Sequence, residues 1–437
     1  MPIRRVPNTD VDYLLIAFDA EGRERAEPDG TMLSKTALAK VADPASGITD
    51  VFFTSHGWKG DVKAAIDQYD RWIGAMVGLE ADRTYARQRR PGFNPLIIGL
   101  HWPSLPWGDE SLAEAVEKPP LEREVNDYAQ RIADTPTARD AIRSILQTAS
   151  TAGTSATLPD AAKTAYQTLF SESKLGAGDV GAAPGADQDG FDPQAILDEN
   201  NAEKSENGFF SSIRDKLLSP LRQASFWAMK NRAHVFGESG GHDLLRSLQT
   251  AAPATTRFHL MGHSFGCIVV SSTVAGGASS KPLVRPVDSL FLVQGALSLW
   301  AYAPSIPYAE GTPGYFHPIV QKQLVKGPIV TTRSKFDVAV GRYYPQGAKL
   351  KRQFVLVDTT FPKYGGIGSF GIQGTAAAPQ DLPIKPPTSP YGFKGGSIYN
   401  VEASRVIKQM DGASGAHSDI AHPEVAHVFW EAALSGL

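Results

Sequence analysis

Short, nearly continuous apolar runs bounded by turn residues recur along the chain: DYLLIAF (12–18), TDVFFT (49–54), PLIIGLHW (95–102), RFHLMG (257–262), SLFLVQG (289–295), GPIVTT (327–332) and QFVLVD (353–358). Runs of this length without strict alternation suit parallel strands buried on both faces. Between several of them lie stretches with helical spacing, such as VKAAIDQYDRWIGAMVGL (62–79) and HDLLRSLQTA (242–251). Strand alternating with helix predicts the α/β class, with a mostly parallel central sheet flanked by helices.

The alternation breaks once. From 103 to 256 no buried strand is legible, so this stretch is expected to be an insertion, with residues 1–102 and 257–437 forming the core. Within it, LEREVNDYAQRIADT, ARDAIRSILQTAS and FFSSIRDKLLSPLRQASFWAMK have amphipathic helical spacing and predict a helical cap over the carboxyl edge of the sheet. Residues 149–208 are dominated by Ala, Gly, Ser, Thr, Asp and Asn and read as a linker-like, flexible stretch. A second irregular segment, AAAPQDLPIKPPTSPYGF (376–393), reads as a surface excursion.

Composition narrows the classes of function. Of 437 residues, 42% are hydrophobic and 20% charged, which permits a large core. Lys plus Arg number 43 against 46 for Asp plus Glu, so no global field attracts a polyanion, and nucleic acid is not an expected partner. Cys267 is the sole cysteine, which excludes an intramolecular disulfide. The opening MPIRRVPNTDVDYLLIAFDAEG has too short an apolar stretch, flanked by acidic residues, for a signal peptide, and no run approaches the length of a membrane span. The expectation is a cytoplasmic protein without a transmembrane segment.

The chemistry gathers around RFHLMGHSFGCIVVSSTVAGG, where Gly262, His263, Ser264, Phe265 and Gly266 form a GxSxG motif entered by a strand and left by a helix-compatible run. A serine on such a strained turn needs small residues at Gly262 and Gly266 so that strand and helix can pass closely. Ser264 then stands at the positive end of the following helix, where a developing oxyanion is favoured. A second match, Gly237, Glu238, Ser239, Gly240 and Gly241, also has the look of the GDSGG of trypsin-like proteases. Those domains are double β-barrels, usually disulfide-bonded, which this composition opposes, so Ser239 is read as a turn or helix cap.

On the elbow and its context the chain resembles the α/β-hydrolase superfamily of esterases and lipases, over the core elements and not over the insertion. In that superfamily a His-Gly dipeptide ends the third strand, and the residue after the glycine donates its amide to the oxyanion. Here His56 and Gly57 follow TDVFFT, so the resemblance implies Trp58 and Phe265 as oxyanion donors, with His56 orienting the loop. The superfamily order of Ser, acid, His requires the acid after a later strand and the histidine near the C-terminus. Of His317, His417, His422 and His427, His417 in the loop GASGAHSD is preferred, with His422 as the alternative; His427 lies in the helix-like PEVAHVFWEAAL and His317 precedes a strand. Asp337, in the loop after GPIVTT, is preferred as the acid over Asp358. A metal site formed by His417, His422, His427 and Asp419 is disfavoured, because a spacing of five puts successive histidines on different sides of a helix.

The expected function is therefore a serine hydrolase cleaving a carboxylic ester, needing no cofactor and no metal, and acting on a small-molecule or lipid-like ester. Trp58, Trp102 and Trp107 are expected to flank the pocket. An acyltransferase, thioesterase or peptidase using the same triad, or a noncatalytic binding module on the same scaffold, are the competing readings.

Overall fold

The computed structural model describes residues 3–58, 62–104, 120–151, 157–175, 181–187, 191–202, 213–340, 356–358, 361–411 and 415–436. Eleven strands are present among these: β1 (Ile3–Arg5), β2 (Asp12–Ala17), β3 (Asp50–Ser55), β4 (Pro95–His101), β5 (Arg257–His263), β6 (Ser289–Val293), β7 (Ile329–Arg333), β8 (Leu356–Asp358), β9 (Phe361–Pro362), β10 (Gln380–Pro383) and β11 (Ile398–Glu402). Nine of them form one sheet in the order β1-β2-β4-β3-β5-β6-β7-β11-β10. Only the β1–β2 pairing is antiparallel; every other pair in that sheet is parallel. The central strands β3 and β6 are buried at every position, which is why their sequences are continuous rather than alternating.

Helices cover both faces. On one side lie α1 (Leu33–Ala42) and, later in the chain, the helix that follows Ser264; on the other lie α2 (Val62–Val77) and α3 (Glu80–Arg89). The segment between β4 and β5 contains helices and no strand among its described residues: α4 (Pro120–Ile132), α5 (Pro136–Thr151), α6 (Asp160–Ser173), α7 (Pro193–Ala202), α8 (Ile213–Leu217), α9 (Ser219–Phe236) and α10 (His242–Ala251). Helices α4 to α9 bury their own cluster around Ile142, Ile145, Leu146, Tyr166 and Leu221. Met229, Ala233 and Phe236 of α9, with Leu244, Leu245 and Leu248 of α10, instead join the cluster beneath the sheet. The expected insertion 103–256 thus ends in residues that serve the core.

Three readings of the sequence are corrected. The linker-like stretch 149–208 holds α6, whose Ala162, Ala165, Tyr166 and Leu169 are buried at helical spacing against α5; the alanines that made the composition look flexible are small contact residues of a helix pair. QFVLVD does not join the parallel sheet, since its described end, β8, pairs antiparallel with β9 in a separate ribbon. The place beside β7 is taken by β11, whose apolar run is interrupted by Asn400. That amide is 1% exposed and satisfied, its Oδ1 accepting from the Ile372 N–H at 2.9 Å and its Nδ2 donating to the Ile372 carbonyl at 3.1 Å. The Pro-rich 376–393 segment contributes the exposed edge strand β10.

Between α9 and α10 the GESGG motif forms a π-helical turn, Gly237–Gly241, so that one helical rod runs on with a local change of pitch. Ser239 is neither a nucleophile elbow nor a cap; its hydroxyl donates back to the Val235 carbonyl at 2.8 Å. The glycines serve packing: a Cβ on Gly237 would lie 2.6 Å from the Val269 carbonyl oxygen. No helix among the described residues is long and apolar enough to cross a membrane.

Candidate active site

Because β3, β5, β6, β7 and β11 run parallel, the loops at their carboxyl ends collect along one edge of the sheet. The strand β5 ends at His263 and helix α11 (Gly266–Ala275) starts three residues later, leaving Ser264 on the turn with φ of 57°. A non-glycine residue in the left-handed region is strained and needs its surroundings to hold it there. They do: the Ser264 amide donates to the Val293 carbonyl at 3.1 Å and the Ser264 carbonyl accepts from Ala296 at 3.2 Å. The turn is so tight that a Cβ on Gly266 would sit 2.2 Å from the Ser55 carbonyl oxygen, and one on Gly262 would sit 2.3 Å from the Gly266 carbonyl oxygen.

The Ser264 hydroxyl lies 2.7 Å from His417 Nε2, and His417 Nδ1 lies 2.9 and 3.0 Å from the two carboxylate oxygens of Asp337. With Nδ1–H donating to the carboxylate, Nε2 is left to accept from the hydroxyl, which is the tautomer a general base requires. Asp337 follows β7 and is 2% exposed. Backbone ties join its loop to that of the base, since Ala416 N–H donates to the Phe336 carbonyl at 2.8 Å and Asp337 bridges Gly415.

The alternatives are placed elsewhere. His422 stands at the N-terminus of α14 (Pro423–Leu434, preceded by the short α12, His317–Gln321, and α13, Ile367–Phe370) and pairs with Asp419 at 2.7 Å. Asp358 ends β8, outside the nine-stranded sheet. His317 faces the Tyr302 carbonyl at 3.3 Å. His427 bonds Asp82 at 2.9 Å through Nδ1 and the Ser389 carbonyl at 3.1 Å through Nε2, so His417, His422 and His427 each meet a different carboxylate. Among the described residues one trio could bring ligand atoms within reach of a single ion, Asp82, His427 and Glu431. Its atoms are already engaged with one another and with the backbone of Ser389 and Tyr391.

Sequence reasoning missed Gln294. It follows β6 in the left-handed region (φ of 47°), and its side-chain Nε2 donates to Asp337 Oδ2 at 2.9 Å while Oε1 accepts from Thr332 Oγ1 at 3.0 Å. With the Val340 amide on Oδ1 at 3.1 Å, the carboxylate is held from three sides. A glutamine ending SLFLVQG has no motif to single it out; the one available signal is a polar side chain at the carboxyl end of a buried strand. Gln294→Leu leaves Asp337 oriented by two partners, and the ester turnover expected from the sequence should fall by about 10- to 100-fold with KM little changed. Steady-state kinetics beside a thermal melt check this.

A Cβ on Gly57 would come within 2.7 Å of Ser264 Cβ, so only glycine lets the backbone of this loop pass Ser264. The N–H of Phe265, at the start of α11, has no acceptor among the described residues and is free to receive one from a ligand. His56 is fully buried and engaged: its Nδ1–H donates to the Gly57 carbonyl at 2.8 Å, its Nε2 accepts from His101 Nδ1 at 3.0 Å, and its carbonyl accepts from Trp102 Nε1 at 3.1 Å. Trp102 is therefore corrected from pocket wall to buried support, its ring stacked on His56 at 5.8 Å and 9°. Trp58 is partly buried and stacked 5.8 Å from Phe265, and Phe226 of α9 completes the group at 5.1 Å from Phe265. Trp107 lies outside the described residues.

Burial, followed by repulsion from a neighbouring imidazole, lowers His56 and His263 from 6.5 to about 3. The unfolded chain then binds protons that the folded one refuses, so stability is lost as pH falls from about 6.5 toward 3. At pH 5 the two together cost roughly 4 kcal/mol. His427 acts in the opposite sense: burial lowers its pKa but Asp82 raises it by more, so its contribution is present at low pH and lost as pH rises through its elevated value. Denaturant midpoints measured at pH 7, 6 and 5 should fall steadily, with the His427 pair offsetting part of the loss.

Comparison with family models, with characterised proteins and with solved structures returns no match for this chain, so what it does has to be argued from the geometry at Ser264.

Proposed function

We propose that the chain is a serine hydrolase of the α/β-hydrolase type that cleaves a carboxylic ester through an acyl-enzyme. The observation that carries this reading is the unbroken line from the Ser264 hydroxyl through the imidazole of His417 to the Asp337 carboxylate, 2.7 Å and 2.9 Å long. A serine, an imidazole and a carboxylate in line are what nucleophilic acyl transfer requires, since the hydroxyl is a poor nucleophile until a base takes its proton.

In the first half-reaction the Ser264 oxygen attacks the acyl carbonyl and its proton passes to His417 Nε2. Asp337 holds the imidazolium by its Nδ1–H and stabilises the charge without accepting the proton. The developing oxyanion is met by the Phe265 amide and by that of Trp58, at the positive end of α11. His417 returns the proton to the departing alkoxide, then takes one from water, which attacks the acyl-enzyme; the acyl–Ser264 bond breaks, His417 gives that proton to the Ser264 oxygen, and the acid leaves. Trp58, Phe265 and Phe226 form an aromatic wall beside this point, which favours an apolar acyl or alcohol group.

A fluorophosphonate probe tests the assignment. Phosphorus bonds to the Ser264 oxygen as fluoride leaves, and tryptic mapping should locate the adduct there in the wild type and not in His417→Ala. A wild-type protein that stays unlabelled at Ser264, and that hydrolyses no p-nitrophenyl ester from acetate to octanoate, would refute the reading.

A further inference from the structure

The residue before the nucleophile has a task that the mechanism above does not use. His263 is 5% exposed, yet a single polar contact accounts for its ring: Nε2–H donates to the main-chain carbonyl of His417 at 2.9 Å. Its Nδ1 is buried without a partner among the described residues, close against Gly57, and the ring meets Trp72 edge-on at 6.4 Å. An apolar side chain of similar size would fill this space without stranding a nitrogen, so the donor on Nε2 is what the position gains from histidine.

What that donor reaches is the carbonyl of the base itself. The ties between Ala416 and Phe336 and between Gly415 and Asp337 fasten the His417 loop to the loop of the acid, but neither fastens it to the nucleophile. The bond from His263 is the tie across that remaining gap, since its own backbone is one residue from Ser264. We propose that His263 is a positioning residue, a neutral hydrogen-bond donor that docks the main chain of His417 onto the nucleophile turn and so sets the direction of the imidazole toward Ser264. The inference rests on the triad reading for its consequence in catalysis, and on geometry alone for the docking.

Neutrality is built in. Burial and the proximity of His417 lower His263 to about 3, with Arg71 adding to the effect, so the ring does not compete with His417 for the proton of the serine. The 2.9 Å contact also asks for one N–H at one reach, which a glutamine amide can supply and an asparagine amide is too short to supply.

Three variants test this: His263→Gln, His263→Asn and His263→Leu. Two readouts are used, the rate of labelling by a fluorophosphonate and the low-field proton resonance of His417 Nδ1–H in its bond to Asp337. The Asn and Leu variants are expected to label on the order of 10²-fold more slowly, with KM for p-nitrophenyl acetate nearly unchanged and the low-field resonance shifted or broadened. The Gln variant should recover most of the rate and the wild-type resonance. Asn and Gln behaving alike, or Leu matching wild type in both readouts, would overturn the proposal, and the Asn–Gln comparison stands even where Leu does not fold. If no form is labelled while the resonance still follows the Gln and Asn pattern, the docking role holds and the hydrolase reading fails.

Discussion

Under the proposed hydrolase mechanism, Ser264→Ala is expected to lower turnover of an activated ester by about 10⁴- to 10⁶-fold, because it removes the oxygen assigned to the acyl-enzyme while leaving the rest of the site in place. The fold should survive. Ser264 is 6% exposed and its hydroxyl bonds His417 Nε2, so removing one oxygen opens no large cavity. Alanine inherits the φ of 57° that serine already tolerates. The measurement is a pre-steady-state burst with p-nitrophenyl acetate, absent in the variant, beside an unchanged thermal transition. A variant within tenfold of wild type would move the nucleophile elsewhere.

The second large effect falls on stability. Gly266→Ala places a methyl group 2.2 Å from the Ser55 carbonyl oxygen and 2.7 Å from that of His56, and neither is the movable end of a side chain. Relief requires α11 to withdraw from β3, which separates the nucleophile turn from the loop bearing Gly57. A destabilisation of about 3 kcal/mol or more is expected, read as a lower denaturant midpoint, together with lost activity at temperatures where the variant is still folded. Gly74→Ala supplies the contrast. A Cβ there meets only Val6 Cγ1 at 3.7 Å in the middle of α2, so the change should be neutral or stabilise by about 0.5–1 kcal/mol. Similar losses in both variants would show that helix propensity, and not the close approach, governs these positions.

How much of this was legible beforehand depends on how local each signal is. The strands β2 to β7 announce themselves because a strand buried on both faces leaves a continuous apolar run, and the nucleophile turn because two glycines flank a serine at a strand-to-helix junction. Asp337 and His417 are singled out by the chain order of the superfamily that the sequence resembles. The bond between them, from residues 80 apart, was not, because it depends on β7 and β11 lying side by side. β11 was passed over because Asn400 interrupts its apolar run, and an amide that bonds the backbone of Ile372 on both sides looks polar in sequence while being buried in space. Gln294 and the carbonyl contact of His263 were hidden for the same reason: each matters through an atom of a distant residue. The tryptophans show the converse. Trp58 and Trp102 are equally aromatic in sequence, and only the stacking of one on Phe265 and of the other on His56 separates wall from foundation.

The π-helical turn at Gly237–Gly241 has a mechanical consequence. By interrupting the pitch without breaking the rod, it lets residues 219–251 act as a single beam of roughly 50 Å, at 1.5 Å per residue. Toward one end the beam carries Phe226, whose ring lies 5.8 Å from Trp58 and 5.1 Å from Phe265. Its glycine-lined middle rests directly on α11, the helix that starts at the nucleophile. A push that tilts this rod therefore bears on the seat of Ser264, and excising it would unload that seat.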